Sequence, residues 1–202
     1  MASAVPLIDS RPARLMAWFA LVVALATDAA YLWLKLGQGT APFDAYTAIF
    51  VAGYLLVMAA LLLTSLTRFG RAALRMPLRA AAAGGLLVLG ILAIFSIGLP
   101  LVIAGAMATG ATVRTLRGPF LAPSSLSAVA AAVVAVAVLV AGFEVTERMI
   151  VCPAHGSGGG GGTGLVTGPY YFECVNGQLS FHSGSCSSTS IDSSGNVTHP
   201  GC

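Results

Sequence analysis

Residues 80–113 read AAAAGGLLVLGILAIFSIGLPLVIAGAMATGATV, from Ala80 to Val113, 34 positions without one charged side chain. As a single helix this run would be about 50 Å long, against a hydrocarbon core of about 30 Å. One crossing would demand a steep tilt or a kink at Pro100, and would make a four-helix protein with a long third helix. The alternative is a hairpin turning at Ile97-Gly98-Leu99-Pro100. Gly frees the backbone there, and Pro, lacking a donor, suits the start of a second helix. The first arm, Leu78 to Ser96, is long enough to span; the second, Pro100 to about Arg114, is short at roughly 22 Å.

Charge favours the hairpin. With two crossings, Arg68, Arg71, Arg75, Arg79, Arg114 and Arg117 share one side with Arg11 and Arg14, and only Lys35 and Arg148 lie opposite. Cytoplasmic loops of membrane proteins carry such an excess of basic residues. The expected fold is therefore an all-α polytopic membrane protein of five helices, followed by a small β module. Its N-terminus is expected in the cytoplasm and its C-terminal tail outside.

Composition agrees. The chain is 57% hydrophobic and 8% charged, more apolar than a soluble domain of 202 residues requires. The net charge of +3 comes from residues at the ends of apolar spans, so it sets topology and is no footprint for nucleic acid. Nine of the ten basic residues are Arg, and Ala and Gly abound, a bias that suits a GC-rich bacterial genome.

The first apolar span, Leu15 to Leu36, follows Arg11 and Arg14. Ala24-Leu25-Ala26 mimics a cleavage site, but the span is too long for a signal peptide and runs on through Tyr31 and Trp33 to Lys35. An uncleaved helix is expected. Asp28 interrupts it, and an acid inside a span marks a proton or cation site or a hydrogen bond that holds helices together. Asp28, Tyr31 and Lys35 are spaced to share a face, which allows a local pairing.

A loop around Pro42 leads to a second helix, Ala45 to Ser65. Arg68, Arg71, Arg75 and Arg79 then follow at intervals of 3, 4 and 4, one stripe if helical. Such a stripe attracts anionic lipid headgroups, or simply sets topology. Past the hairpin, Ser125 is placed to cap a last helix, Leu126 to Phe143, whose Ala and Val suit close packing against protein.

The character changes after residue 148. Residues 149–168, with Gly158 to Gly162, read as a flexible linker between a helical domain (1–148) and a Cys-containing module (169–202). The glycines lack the GK[ST] ending of a phosphate loop. Asn176-Gly177 separates two β-prone runs, the strongest short-range hairpin signal. A two-residue turn pairs Val175 with Gln178, Cys174 with Leu179 and Phe172 with Phe181. A weaker hairpin joins Thr189–Asp192 to Asn196–His199.

All four Cys, Cys152, Cys174, Cys186 and Cys202, lie in this tail. So small a module lacks a sufficient core, and an even Cys count outside the membrane reads as disulfides. Three connectivities are open; Cys186 is the nearest candidate partner for Cys174, which would leave Cys152 to join Cys202. A competing arrangement is a zinc set of Cys152, His155, His199 and Cys202.

No catalytic constellation, CxxC pair or cofactor motif is present. The expectation is a non-enzymatic structural or interaction protein without a cofactor, displaying a stapled module outside the cell. It would be an accessory subunit whose partners are the lipid bilayer and other membrane proteins or a second copy. The alternatives are a small transporter or channel component using Asp28, or a membrane thiol or metal-binding protein.

Overall fold

A computed structural model of the chain describes residues 11–38, 45–67, 72–115, 123–184, 190–191 and 197–198. The chain divides into two compact units, Met1–Gly39 with Ala48–Ala141, and Thr40–Thr47 with Gly142–Cys202.

Five helices follow the apolar runs: α1 (Arg11–Gln38), α2 (Ala45–Leu66), α3 (Ala72–Leu92), α4 (Leu99–Thr115) and α5 (Pro123–Thr146). All five are long and apolar enough to cross a membrane. The stretch 80–113 is a hairpin of two helices, not one kinked rod. Its turn is a single π-helical loop, Ile94–Gly98, in which the Gly98 N–H donates to the Ala93 carbonyl at 2.8 Å. Pro100 sits in the first turn of α4, where its missing donor is harmless.

Close packing of the two arms needs glycine. A Cβ on Gly98 would collide with the Gly90 carbonyl oxygen, and one on Gly105 would stand 2.9 Å from the Leu87 amide. α3 begins earlier than expected, at Ala72, and runs through Pro77. Only one hydrogen bond near the helix start is lost there, so the helix tolerates it.

α4 is the centre of the unit, packing on both α3 and α1. The buried face of α1 is Ala13, Ala17, Ala20, Leu21, Ala24, Thr27 and Asp28, and that of α4 is Leu101, Ala104, Ala108, Ala111 and Thr112. Small residues on both sides let the helices approach closely, which is how helices associate where lipid removes the hydrophobic drive. Tyr54 ties three helices together: it passes over Gly85 of α3, and its hydroxyl donates to the Ala135 carbonyl of α5 at 2.9 Å. α5 meets protein only along a stripe with Ala128, Ala135 and Leu139, while Val129, Val133, Val134 and Val138 are exposed. The small-residue helix is therefore less enclosed than its composition suggests. Ser125 lies inside α5, which starts at Pro123, so it is not the cap.

In the second unit an antiparallel sheet is ordered β1 (Ser157–Gly164), β2 (Gly168–Val175), β3 (Gln178–Ser183). The β2–β3 register is Val175 to Gln178, Cys174 to Leu179 and Phe172 to Phe181, as the turn chemistry predicts. Asn176 and Gly177 both take positive φ, 48° and 82°. Two short strands, β4 (Ser190–Ile191) and β5 (Val197–Thr198), form a separate pair in the region of the expected second hairpin.

Two expectations are corrected here. The glycine run is not a free linker: it is strand β1, paired along its whole length with β2. The disulfide is Cys152–Cys174, in place of Cys174 with Cys186 and Cys152 with Cys202. The glycine strand carries the chain back alongside β2 and brings Cys152 to Cys174. Cys186 and Cys202 lie outside the described residues.

Candidate functional site

The C-terminal module is built on an unusual strand. β1 has glycine at six of its eight positions, and large side chains of β2 fill the space that β1 leaves empty. A Cβ on Gly160 would lie 3.0 Å from Cζ of Phe172, and one on Gly162 would lie 2.8 Å from the Tyr170 hydroxyl. The two rings therefore lie across the glycines, so the strand's lack of side chains is a packing requirement. Tyr170 in turn stacks on Phe181 of β3, with centroids 5.2 Å apart. On the other face Tyr171 stacks on His182 at 4.5 Å. Cys174, on the ring-bearing face, is 1% exposed and anchors the disulfide.

The module's outer strand is open. Leu179 and Phe181 of β3 are exposed, Phe181 at 44%, as is Val175 at the end of β2. The β1–β2 turn is held from α5: the Val166 N–H donates to Glu144 Oε1 at 2.6 Å, and the Thr167 hydroxyl donates to Oε2 at 2.8 Å. Sequence spacing gave no hint of this grip, because the partners are 22 and 23 residues apart. Three residues on from Glu144, burial and the neighbouring Glu144 charge raise the Glu147 pKa above its ordinary 4.5.

The zinc alternative loses a ligand, because Cys152 is oxidised in the disulfide and has no thiolate to offer. His199 and Cys202 lie outside the described residues, and no group of three metal-ligating side chains occurs among the described ones.

In the helical unit, Asp28 is 4% exposed, and its Oδ1 is enclosed with no hydrogen-bond partner. Neither Tyr31 nor Lys35, the expected local partners, hydrogen-bonds Oδ1. The arginine stripe divides. Arg79 is 1% exposed and its Nε donates to Ser65 Oγ at 3.3 Å, so it works inside the helix packing and does not face a headgroup. Arg75 is half-buried, with its Nε enclosed and unpartnered. Arg68 and Arg71 lie outside the described residues.

Two open grooves run between helices. One of about 250 Å³ is bounded by Met76, Gly84, Thr109, Ser125 and Ala132. The other, about 640 Å³, is bounded by Phe50, Tyr54, Met58, Ala131 and Val138. Both are lined mainly by apolar side chains.

Fold and site define a class: a helical protein with five helices able to cross a membrane and a small disulfide-bonded sheet after the last. No family model matches the chain, and neither a curated protein nor a solved structure is significantly similar to it.

Proposed function

We propose that the protein is a multi-pass membrane anchor that displays a small disulfide-stapled β module outside the cytoplasm, as a non-enzymatic interaction subunit of a membrane assembly. The observation that carries this is the Cys152–Cys174 bridge. Disulfides persist in oxidising compartments and are rare in the cytosol. If all five helices cross, the chain's two ends lie on opposite sides of the bilayer. The basic residues Arg11, Arg14, Arg75 and Arg114 then gather on the cytoplasmic side with the N-terminus. The contact surface is the open β3 strand, where Leu179 and Phe181 stand exposed beside the stacked Tyr170. Partners of this surface are other membrane proteins or a second copy, while the exposed Val face of α5 meets lipid.

A reporter fused after Cys202 tests the orientation. Activity of a periplasm-dependent reporter, with silence of a cytoplasm-dependent one, is the expected result. The reverse pattern would place the module in a reducing compartment and remove the basis for the proposal.

A further inference from the structure

We propose that Asp28 is a monovalent-cation site of the helical unit, where a bound proton or alkali cation neutralises the carboxylate. Oδ1 of Asp28 is fully enclosed and accepts no hydrogen bond. Its neighbour Thr27 directs its hydroxyl to the Val23 carbonyl, 2.8 Å away, and so does not serve it. An ionised carboxylate with one oxygen enclosed and no donor to it is costly in a low-dielectric interior.

Among the described residues, the basic side chains of α1 and α4 do not supply the missing charge. α1 packs on α4, whose single charged residue is Arg114. The C-terminal end of α4 lies beside Met16, since a Cβ on Gly110 would be 3.6 Å from the Met16 sulfur. Asp28 is 12 residues beyond Met16 (28 minus 16), about 18 Å further along the helix axis. On α1 itself, Arg11 and Arg14 are more distant still. Lys35 is seven residues away (35 minus 28), about 10 Å along the axis, and does not hydrogen-bond Oδ1. Tyr31 is the remaining titratable group on that face, and it does not hydrogen-bond Oδ1.

These surroundings favour a small, exchangeable cation over a partner side chain. The residue is 4% exposed, so little of it is open to a helix arriving from outside, whereas a proton or a single ion needs no such opening.

The test is labelling of the full-length protein, reconstituted in phosphatidylcholine vesicles, with a lipid-soluble carbodiimide. The carboxyl proton passes to a carbodiimide nitrogen while the carboxylate oxygen adds to the central carbon. The O-acylisourea formed then rearranges to a stable N-acylurea. The expected result is one adduct that peptide mapping places on Asp28, absent from Asp28→Asn, and not formed by a water-soluble carbodiimide. Labelling should fall about tenfold per pH unit on the alkaline side, as competition for one proton requires. Suppression by Na⁺ at fixed pH would identify an alkali cation as the occupant, and insensitivity to Na⁺ would identify the proton. No adduct at Asp28 at any pH overturns the proposal, as does labelling that neither pH nor Na⁺ alters. Because wild-type protein carries the main readout, the result does not depend on the variant folding.

Discussion

Two glycines show how much a single side chain matters in the β module. Gly160 and Gly162 leave room for the rings of Phe172 and Tyr170, which in turn cover the strand. Gly160→Val puts a branched side chain into the Phe172 ring. The expected cost is about 1–3 kcal/mol, the usual range for overpacking. Faster proteolysis of the tail, with the helices intact, is the measurement. Gly159→Ala is a poorer control, since its Cβ would meet the Phe172 carbonyl at 2.9 Å.

Glu147 gives a prediction in pH. Its pKa is raised in the folded unit, so folding favours the protonated form. The associated stability is complete below the ordinary value of 4.5 and is lost as pH rises through the raised value. Glu147→Gln should flatten that loss and leave the module more stable than wild type at neutral pH. Amide exchange across β1 and β2 at two pH values reads this directly. Glu144, whose pKa is lowered by the Val166 and Thr167 hydrogen bonds, acts in the opposite direction, so an identical pH dependence in wild type and Glu147→Gln is the result that would contradict it.

At the scale of elements, the α3–α4 hairpin and the disulfide make the strongest claims. The hairpin turns within a five-residue π loop, and its arms touch where a Cβ on Gly98 would strike the Gly90 carbonyl. Backbone gives way less readily than a flexible side chain, so Gly98→Leu should cost at least about 1–3 kcal/mol and loosen the pair. Lower thermal stability in detergent is expected, whereas Ser96→Cys, at an exposed position, should be tolerated. The Cys152–Cys174 bridge spans 22 residues and closes β1 into the sheet. Replacing both Cys with Ala should remove about 2–4 kcal/mol of module stability, a large share for so small a unit. Non-reducing peptide mapping should recover the two half-cystines together. Recovery of Cys174 joined to Cys186 would refute the bridge.

For the whole molecule, the prediction is one of sidedness. If α3 and α4 both cross the bilayer, their turn emerges opposite Arg75 and Arg114. A membrane-impermeant thiol reagent applied from outside should then label Ser96→Cys in intact cells. A cysteine placed at Arg114 should react only after the cells are opened. Labelling of both from the same side would mean that the hairpin re-enters without crossing, which lowers the number of crossings from five to three and leaves the C-terminal module outside.

The amino-acid sequence by itself determined where the helices lie, that 80–113 turns back near Gly98, and the register of the Asn176-Gly177 hairpin. These follow from local physics: the length of apolar runs, the position of a Gly-Pro break, and a turn that requires positive φ at two successive residues. Tertiary structure decided the rest. Cys152 meets Cys174 because a glycine strand returns alongside β2, and glycine composition alone reads equally well as a linker. Arg79 is enclosed beside Ser65, and Oδ1 of Asp28 is enclosed without a hydrogen-bond partner, although charge spacing suggested a headgroup stripe and a local pair. Burial and partnership depend on which chains pass nearby in space, and no spacing along one chain encodes that.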